Sequence, residues 1–278
     1  MRVKELFAFM KERQSIYDKK TAGKPKPWTK DPILQRYKFC NIYREQDTVT
    51  KWFAANWRTP YQHDDYLWFA FIVGRFINEP TALMDISYPV PWDQAYYCRV
   101  MNKRKWKGAA LFRGAYNSPN CIGEVNVSKH ISFATKLFTP LWDRRGEITN
   151  HLEKCDTLAS AFQVINAQWA LGSFMAGQVI ADLKFTPRWK DAPDWWTFAV
   201  SGPGSRRGLN VVLDRPPEAK WKEAEWQAAL QQLQKKIDPL IEKAGMPRLS
   251  AQDLQGCLCE LFKYNRGYSR SRYPGNVV

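Results

Sequence analysis

The chain has 278 residues, and its 42 Lys and Arg against 27 Asp and Glu give a formal charge of +15. Hydrophobic residues make up 45% and aromatics 14%, which excludes a disordered polyelectrolyte; at this length folding removes roughly 70–75% of the extended surface from water. The charge excess directs attention to polyanions, and of the two usual ones nucleic acid is favoured over anionic membrane. No stretch nears the roughly 18 apolar residues of a spanning helix, and MRVKELFAFMKERQ does not read as a secretory signal.

Residues 1–26 read as a basic N-terminal extension and 27–278 as one helical domain with room for two lobes, about 60–150 and the remainder. From Asp31 to Trp57 apolar residues recur at helical spacing, predicting one or two helices. On them Asn41, Arg44 and Asp47 would form a polar stripe, either a site or a solvated face. Tyr66–Phe76 predicts a core helix. Between Gln94 and Gly123 there are six Lys and Arg and no acid. Lys103, Arg104, Lys105 and Lys107 around Trp106 read as a phosphate-tracking strip in preference to a solvated loop.

Leu158–Leu183 predicts helix, short hairpin, helix, breaking near Gly172 and Ser173. That is the shape of a DNA-binding helix-hairpin-helix, whose amides and helix N-terminus grip phosphate, or of an ordinary α-hairpin. Gln178 and Asp182 lie four apart on one helix face; Asp182 reads either as a general base or orienter of an amine, or as an aspartate solvated or paired with Lys184. Trp189–Leu213 reads as a Pro/Gly-punctuated loop. Within it Gly202–Gly208 offers shaped amides, and Arg206 and Arg207 offer forked donors for phosphate. Glu218–Ala244 and Ser250–Tyr264 predict helices, the second capped by Ser250 or Asp253 and carrying Glu260 and Lys263 as neighbours. The tail adds Arg266 and Arg270 among tyrosines. Strand signatures are few, so the chain is mainly α.

There is no G-x-x-x-x-G-K-[ST], H-E-x-x-H or G-x-S-x-G and no dinucleotide fingerprint, which argues against ATP hydrolysis, zinc proteolysis and serine esterase chemistry. Six scattered cysteines and three histidines lack zinc-ligand spacing, so reduced thiols, no metal and no cofactor are expected.

The blocks PWTKDPILQRYKFCNIYREQD (27–47), FRGAY (112–116), GSFMAGQVIADLKF (172–185), AVSGPGSRRGLN (199–210) and DLQGCLCELFKYNR (253–266) resemble the bacteriophage amino acid:DNA transferases. These are also called α-glutamyl/putrescinyl-thymine pyrophosphorylases and are relatives of the helical domain of 5-hydroxymethyluracil DNA kinases. The resemblance implies a DNA-glycosylase-like helical fold with a helix-hairpin-helix-type element, working in the cytoplasm of an infected bacterium. Its implied substrates are double-stranded DNA carrying phosphorylated 5-hydroxymethyluracil, made by a separate DNA base kinase, and a free amino acid such as glycine or serine.

On that reading the base is flipped out. Asp182 is the expected base, Arg206 and Arg207 grip the departing phosphate, and Arg44 takes the amino acid's carboxylate. Asn41, Asp47, Tyr116, Gln178 and Asn210 complete the substrate site, with Trp196 as a second stacking wall beside Tyr116. Lys103, Arg104, Lys105, Lys107, Gly172, Ser173, Arg266 and Arg270 hold DNA. A non-catalytic DNA-binding module and a glycosylase are the alternatives.

Overall fold

The computed structural model describes residues 1–113, 127–269 and 271–273. It resolves into two compact units, one built from Met1–Asp47 with Trp196–Val278 and the other from Thr48–Trp195. Unit one begins with α1 (Val3–Thr21), α2 (Pro32–Arg36) and β1 (Tyr37–Lys38). Unit two carries α3 (Thr48–Phe53), α4 (Leu67–Ile77), α5 (Pro80–Ile86), α6 (Gln94–Trp106), α7 (Lys129–Phe133), α8 (Thr139–Asp143), α9 (Arg145–Glu153), α10 (Leu158–Asn166) and α11 (Ser173–Leu183). The chain returns to unit one with α12 (Pro203–Val212), α13 (Glu223–Lys243), α14 (Ala251–Asn265) and β2 (Ser271–Arg272), which pairs antiparallel with β1. The fold is mainly α, as expected.

Unit one is organised on α13. Its buried Trp226, Leu230, Leu233, Ile237 and Ile241 recur every three or four residues, and this stripe packs into one core with Leu6 and Met10 of α1 and Leu254, Leu258 and Leu261 of α14. The segment 1–26 is therefore largely a core helix and not a mere extension, and Leu6, Phe9, Met10 and Ile16 are its buried stripe. The expected loop 189–213 contains α12, with Pro203 at its first turn, where a missing N–H costs nothing. Two glycines bring α12 down onto α14. A Cβ on Gly204 would stand 2.4 Å from the Cys259 Sγ, and one on Gly208 only 2.0 Å from the Leu258 carbonyl oxygen.

Unit two is centred on α4, every residue of which is buried. Such a helix has no solvent face, so its one charge, Arg75, must find a partner inside. α10 and α11 form the expected pair of helices around the short connection 167–172. α10 starts on a Thr157–Ser160 capping box, reinforced by Asp194, whose carboxylate accepts from the Leu158 and Ala159 N–H groups at 2.8 and 2.9 Å. No helix among the described residues is long and apolar enough to cross a membrane.

Candidate functional site

The polar residues of 40–47 do meet, though not on a helix. Asp31 caps α2 by accepting from the Ile33 and Leu34 N–H groups; the chain then leaves through β1, and only a 3-10 turn at Arg44–Gln46 follows. Asn and Asp side chains compete with helical hydrogen bonding by binding nearby backbone, and these two do so here. The Asn41 N–H donates to Asp47 Oδ1 at 2.9 Å, and Asn41 Nδ2 donates to the Gln46 carbonyl at 3.0 Å, closing a small ring.

This ring rests on α14. The Arg44 N–H donates to Asp253 Oδ1 at 2.9 Å, the Cys40 N–H donates to Glu260 Oε2 at 3.2 Å, and Lys263 Nζ donates to Glu260 Oε1 at 2.5 Å. From α1, the buried Arg13 donates through Nη2 to the Phe39 and Cys40 carbonyls at 2.6 and 3.2 Å. The Ser250–Asp253 capping box fixes the start of α14 and so the position of Asp253.

The cluster's electrostatics single out one group. Burial pushes the Asp47 carboxyl up to about 6, against the Asn41 N–H and the Arg44 and Arg13 charges that favour its ionised form. Burial also raises the Cys257 and Cys259 thiols, so these are neutral. Burial works against the Lys263 ammonium, but Glu260 beside it outweighs this and holds it charged. A carboxyl titrating toward neutrality, in the field of the Arg44 and Arg13 charges, has the properties of a general base. Among the described residues no group of three or more His, Cys, Asp or Glu is arranged to hold a metal ion.

Arg206 and Arg207 sit on the first turns of α12, not in a loop. Arg206 donates through Nε to Ser201 Oγ at 2.7 Å and through Nη2 to Glu223 Oε2 at 2.9 Å. Arg207 Nε lies 3.0 Å from both oxygens of Glu218. Both guanidiniums are already paired, and about 40% of each side chain stays exposed. On α14, Asp253 and Glu260 lie seven apart, nearly one face, whereas α12 packs against Leu258 and Cys259 on other faces. The arginine pair and the Asp47 cluster thus flank α14 on different sides. Asn210, expected at the substrate, is fully buried and holds a turn, donating to the Pro217 and Ala219 carbonyls at 2.9 and 2.8 Å.

In unit two Asp182 is wholly buried, and both of its oxygens accept from Arg75 at 2.5 Å. Asp182 thereby serves α4–α11 packing, a setting different from that expected of a base. Gln178 is half-buried on the same helix, and Gly172 and Ser173 are exposed at its start. On α6, Lys103, Lys105 and Lys107 are exposed, whereas Arg104 turns inward to Asp85, Thr81 and the Ala110 carbonyl and leaves the strip. Arg266 is exposed at the end of α14, near the Phe262 and Tyr268 rings. Tyr116 and Arg270 lie outside the described residues. Sequence reasoning missed Arg13 and Arg75; the signal for Arg75 was a lone cation in an apolar run.

Three of the sequence blocks singled out above, 27–47, 199–210 and 253–266, converge in unit one. A family model described as the helical domain of 5-hmdU DNA kinase matches residues 1–272. A 5-hmdU DNA kinase of Bacillus phage SP10 is 24% identical over 295 residues, covering 96% of this chain and 45% of the relative. The chain therefore spans less than half the length of that kinase. No solved structure matches it.

Proposed function

The chain belongs to the 5-hmdU DNA kinase helical-domain family, and on that premise we propose that it modifies bases of phage DNA by transferring an amino acid. The acceptor is the phosphorylated 5-hydroxymethyl group of a deoxyuridine. The amine nitrogen forms a bond to the exocyclic carbon, the C–O bond breaks, and phosphate departs with the bonding pair. The amine's proton passes to a base.

The single observation that carries this reading is Asp47: a carboxyl raised to about 6, near the Arg44 and Arg13 charges, where the blocks 27–47 and 253–266 meet. We assign the base to Asp47 in place of Asp182, whose oxygens Arg75 occupies. We assign Arg44 to the amino acid's carboxylate, with Asn41 as a further polar contact, and Lys263 to the charge on the departing phosphate. Arg206 and Arg207, on another side of α14, are assigned to the DNA backbone instead of the leaving group. Lys103, Lys105 and Lys107, the start of α11 at Gly172 and Ser173, and Arg266 are further backbone contacts.

Eversion of the base costs a few kcal/mol, offset by phosphate contacts and stacking. Glycine and serine are the first donors to try. The test incubates the protein with phosphomethyl-deoxyuridine DNA and each amino acid, and scores new nucleosides by mass spectrometry. The chain's correspondence to one part of a longer kinase favours a second reading, a DNA-recognition module without chemistry of its own. DNA binding without a new nucleoside would establish it; abasic sites would indicate a glycosylase.

A further inference from the structure

We infer that α6 is a strand-binding element on which Trp106 stacks against an unstacked base. The inference rests on the proposed action on DNA bases and adds a residue and a preference to it. Trp106 ends α6 with 85% of its surface exposed. Arg99, Lys103 and Lys107 are spaced four residues apart along the exposed side, a row about 12 Å long at the helical rise. Arg99 also lies over the Tyr96 ring, 5.5 Å from its centre.

Two ordinary explanations account for only part of this. Cations in a last helical turn complement the helix dipole, which explains Lys103 and Lys105 but not an exposed indole among them. A membrane-surface helix would need an apolar stripe, yet the apolar Tyr97 and Met101 of α6 are buried in unit two. What remains is a face of one charge sign with a protruding π-surface. Asp93, the nearest acid before the helix, is used as its cap through the Tyr96 N–H at 2.8 Å. Cations that follow a backbone and an aromatic that receives a base are the two components of single-strand recognition, and base stacking is sequence-tolerant. A protein that everts bases needs to hold nucleotides that have lost their stack, and Trp106 supplies the replacement surface.

The experiment compares two labelled duplexes of one sequence, one fully paired and one with a single mismatched thymine, by fluorescence anisotropy at 50 and 200 mM salt. The wild type is expected to prefer the mismatched duplex. Trp106→Ala is expected to remove that preference with about tenfold or greater loss on the mismatched duplex, and Trp106→Phe to retain most of it. Lys103→Ala is expected to weaken both duplexes alike and to reduce the salt slope by about one. Melting temperatures within a few degrees of wild type would show that the variants fold. An unchanged preference in Trp106→Ala overturns this inference while leaving the proposed function intact. Binding of neither duplex at 50 mM salt overturns both, and Trp106-dependent capture by phosphatidylserine vesicles instead of DNA makes α6 a membrane element.

Discussion

Arg75 and Asp182 meet side-on inside unit two, Nε to Oδ2 and Nη2 to Oδ1, both at 2.5 Å, with 2% and 0% of their side chains exposed. The Phe53 ring stands 4.6 Å from the guanidinium, completing an enclosed setting. Removing one member leaves a buried charge without its counter-ion, a loss of about 3–5 kcal/mol. Asp182→Asn and Arg75→Met are each expected to lower stability by that order in urea melts, while Arg75→Met with Asp182→Leu costs clearly less than the sum. Transfer rate per folded molecule stays near wild type in Asp182→Asn; a 100-fold fall in that rate with unchanged stability would return Asp182 to the chemistry.

Asp47 carries two pH signatures. As the base it must be ionised, so transfer is expected to rise with pH about a midpoint near 6, and Asp47→Asn to lose about 100-fold or more. The stability effect follows from linkage. A folded-state carboxyl raised above its unfolded value of 3.8 favours the folded protein when protonated, and that contribution is lost as pH rises through about 6. Asp47→Asn is therefore expected to match the wild type below about pH 4 and to exceed it in melting temperature above pH 6. A constant difference across that range would show an unshifted Asp47.

The contact of α12 with α14 gives a packing test. Gly208→Ala drives a methyl into the Leu258 carbonyl, a backbone atom that cannot move without shifting α14. A loss of about 1–3 kcal/mol or more is expected. Gly204→Ala meets mainly the Cys259 sulfur, so Cys259→Ala is expected to recover part of its cost and none of that of Gly208→Ala. Equal recovery in both, measured by double-mutant cycles, would contradict the packing described here.

The arginine pair on α12 is testable apart from the chemistry. Arg206→Ala and Arg207→Ala are each expected to lower DNA affinity uniformly across sequences and to reduce the salt slope by about one. Their transfer rate at saturating DNA stays near wild type. A lost rate at saturation would place these guanidiniums at the leaving phosphate.

Much of the helical framework was legible because burial imposes a period. Trp226, Leu230, Leu233, Ile237 and Ile241 give α13, and the apolar run around Phe71 gives α4. α12 was hidden because Gly-Pro-Gly-Ser reads as a turn, whereas here the proline starts a helix and the glycines admit α14. At 40–47 the third-residue spacing predicts a helix, but the Asn41 N–H bonds the Asp47 carboxylate and the Asn41 amide bonds the Gln46 carbonyl instead. The site was legible only in pieces: Asn41, Arg44 and Asp47 were singled out together, while Arg13 lies nearly thirty residues away. That α1 shares a core with α13 and α14 is a long-range fact no local pattern carries.

The most direct measurement is nucleoside mass spectrometry of phosphomethyl-deoxyuridine DNA after incubation with this protein and glycine or serine, with Asp47→Asn in parallel. A new nucleoside is expected, its mass equal to deoxythymidine with an amino acid joined through nitrogen, together with released phosphate, and its yield falls about 100-fold in the variant. Unaltered phosphomethyl-deoxyuridine with every amino acid, from protein shown to bind that DNA, would contradict it.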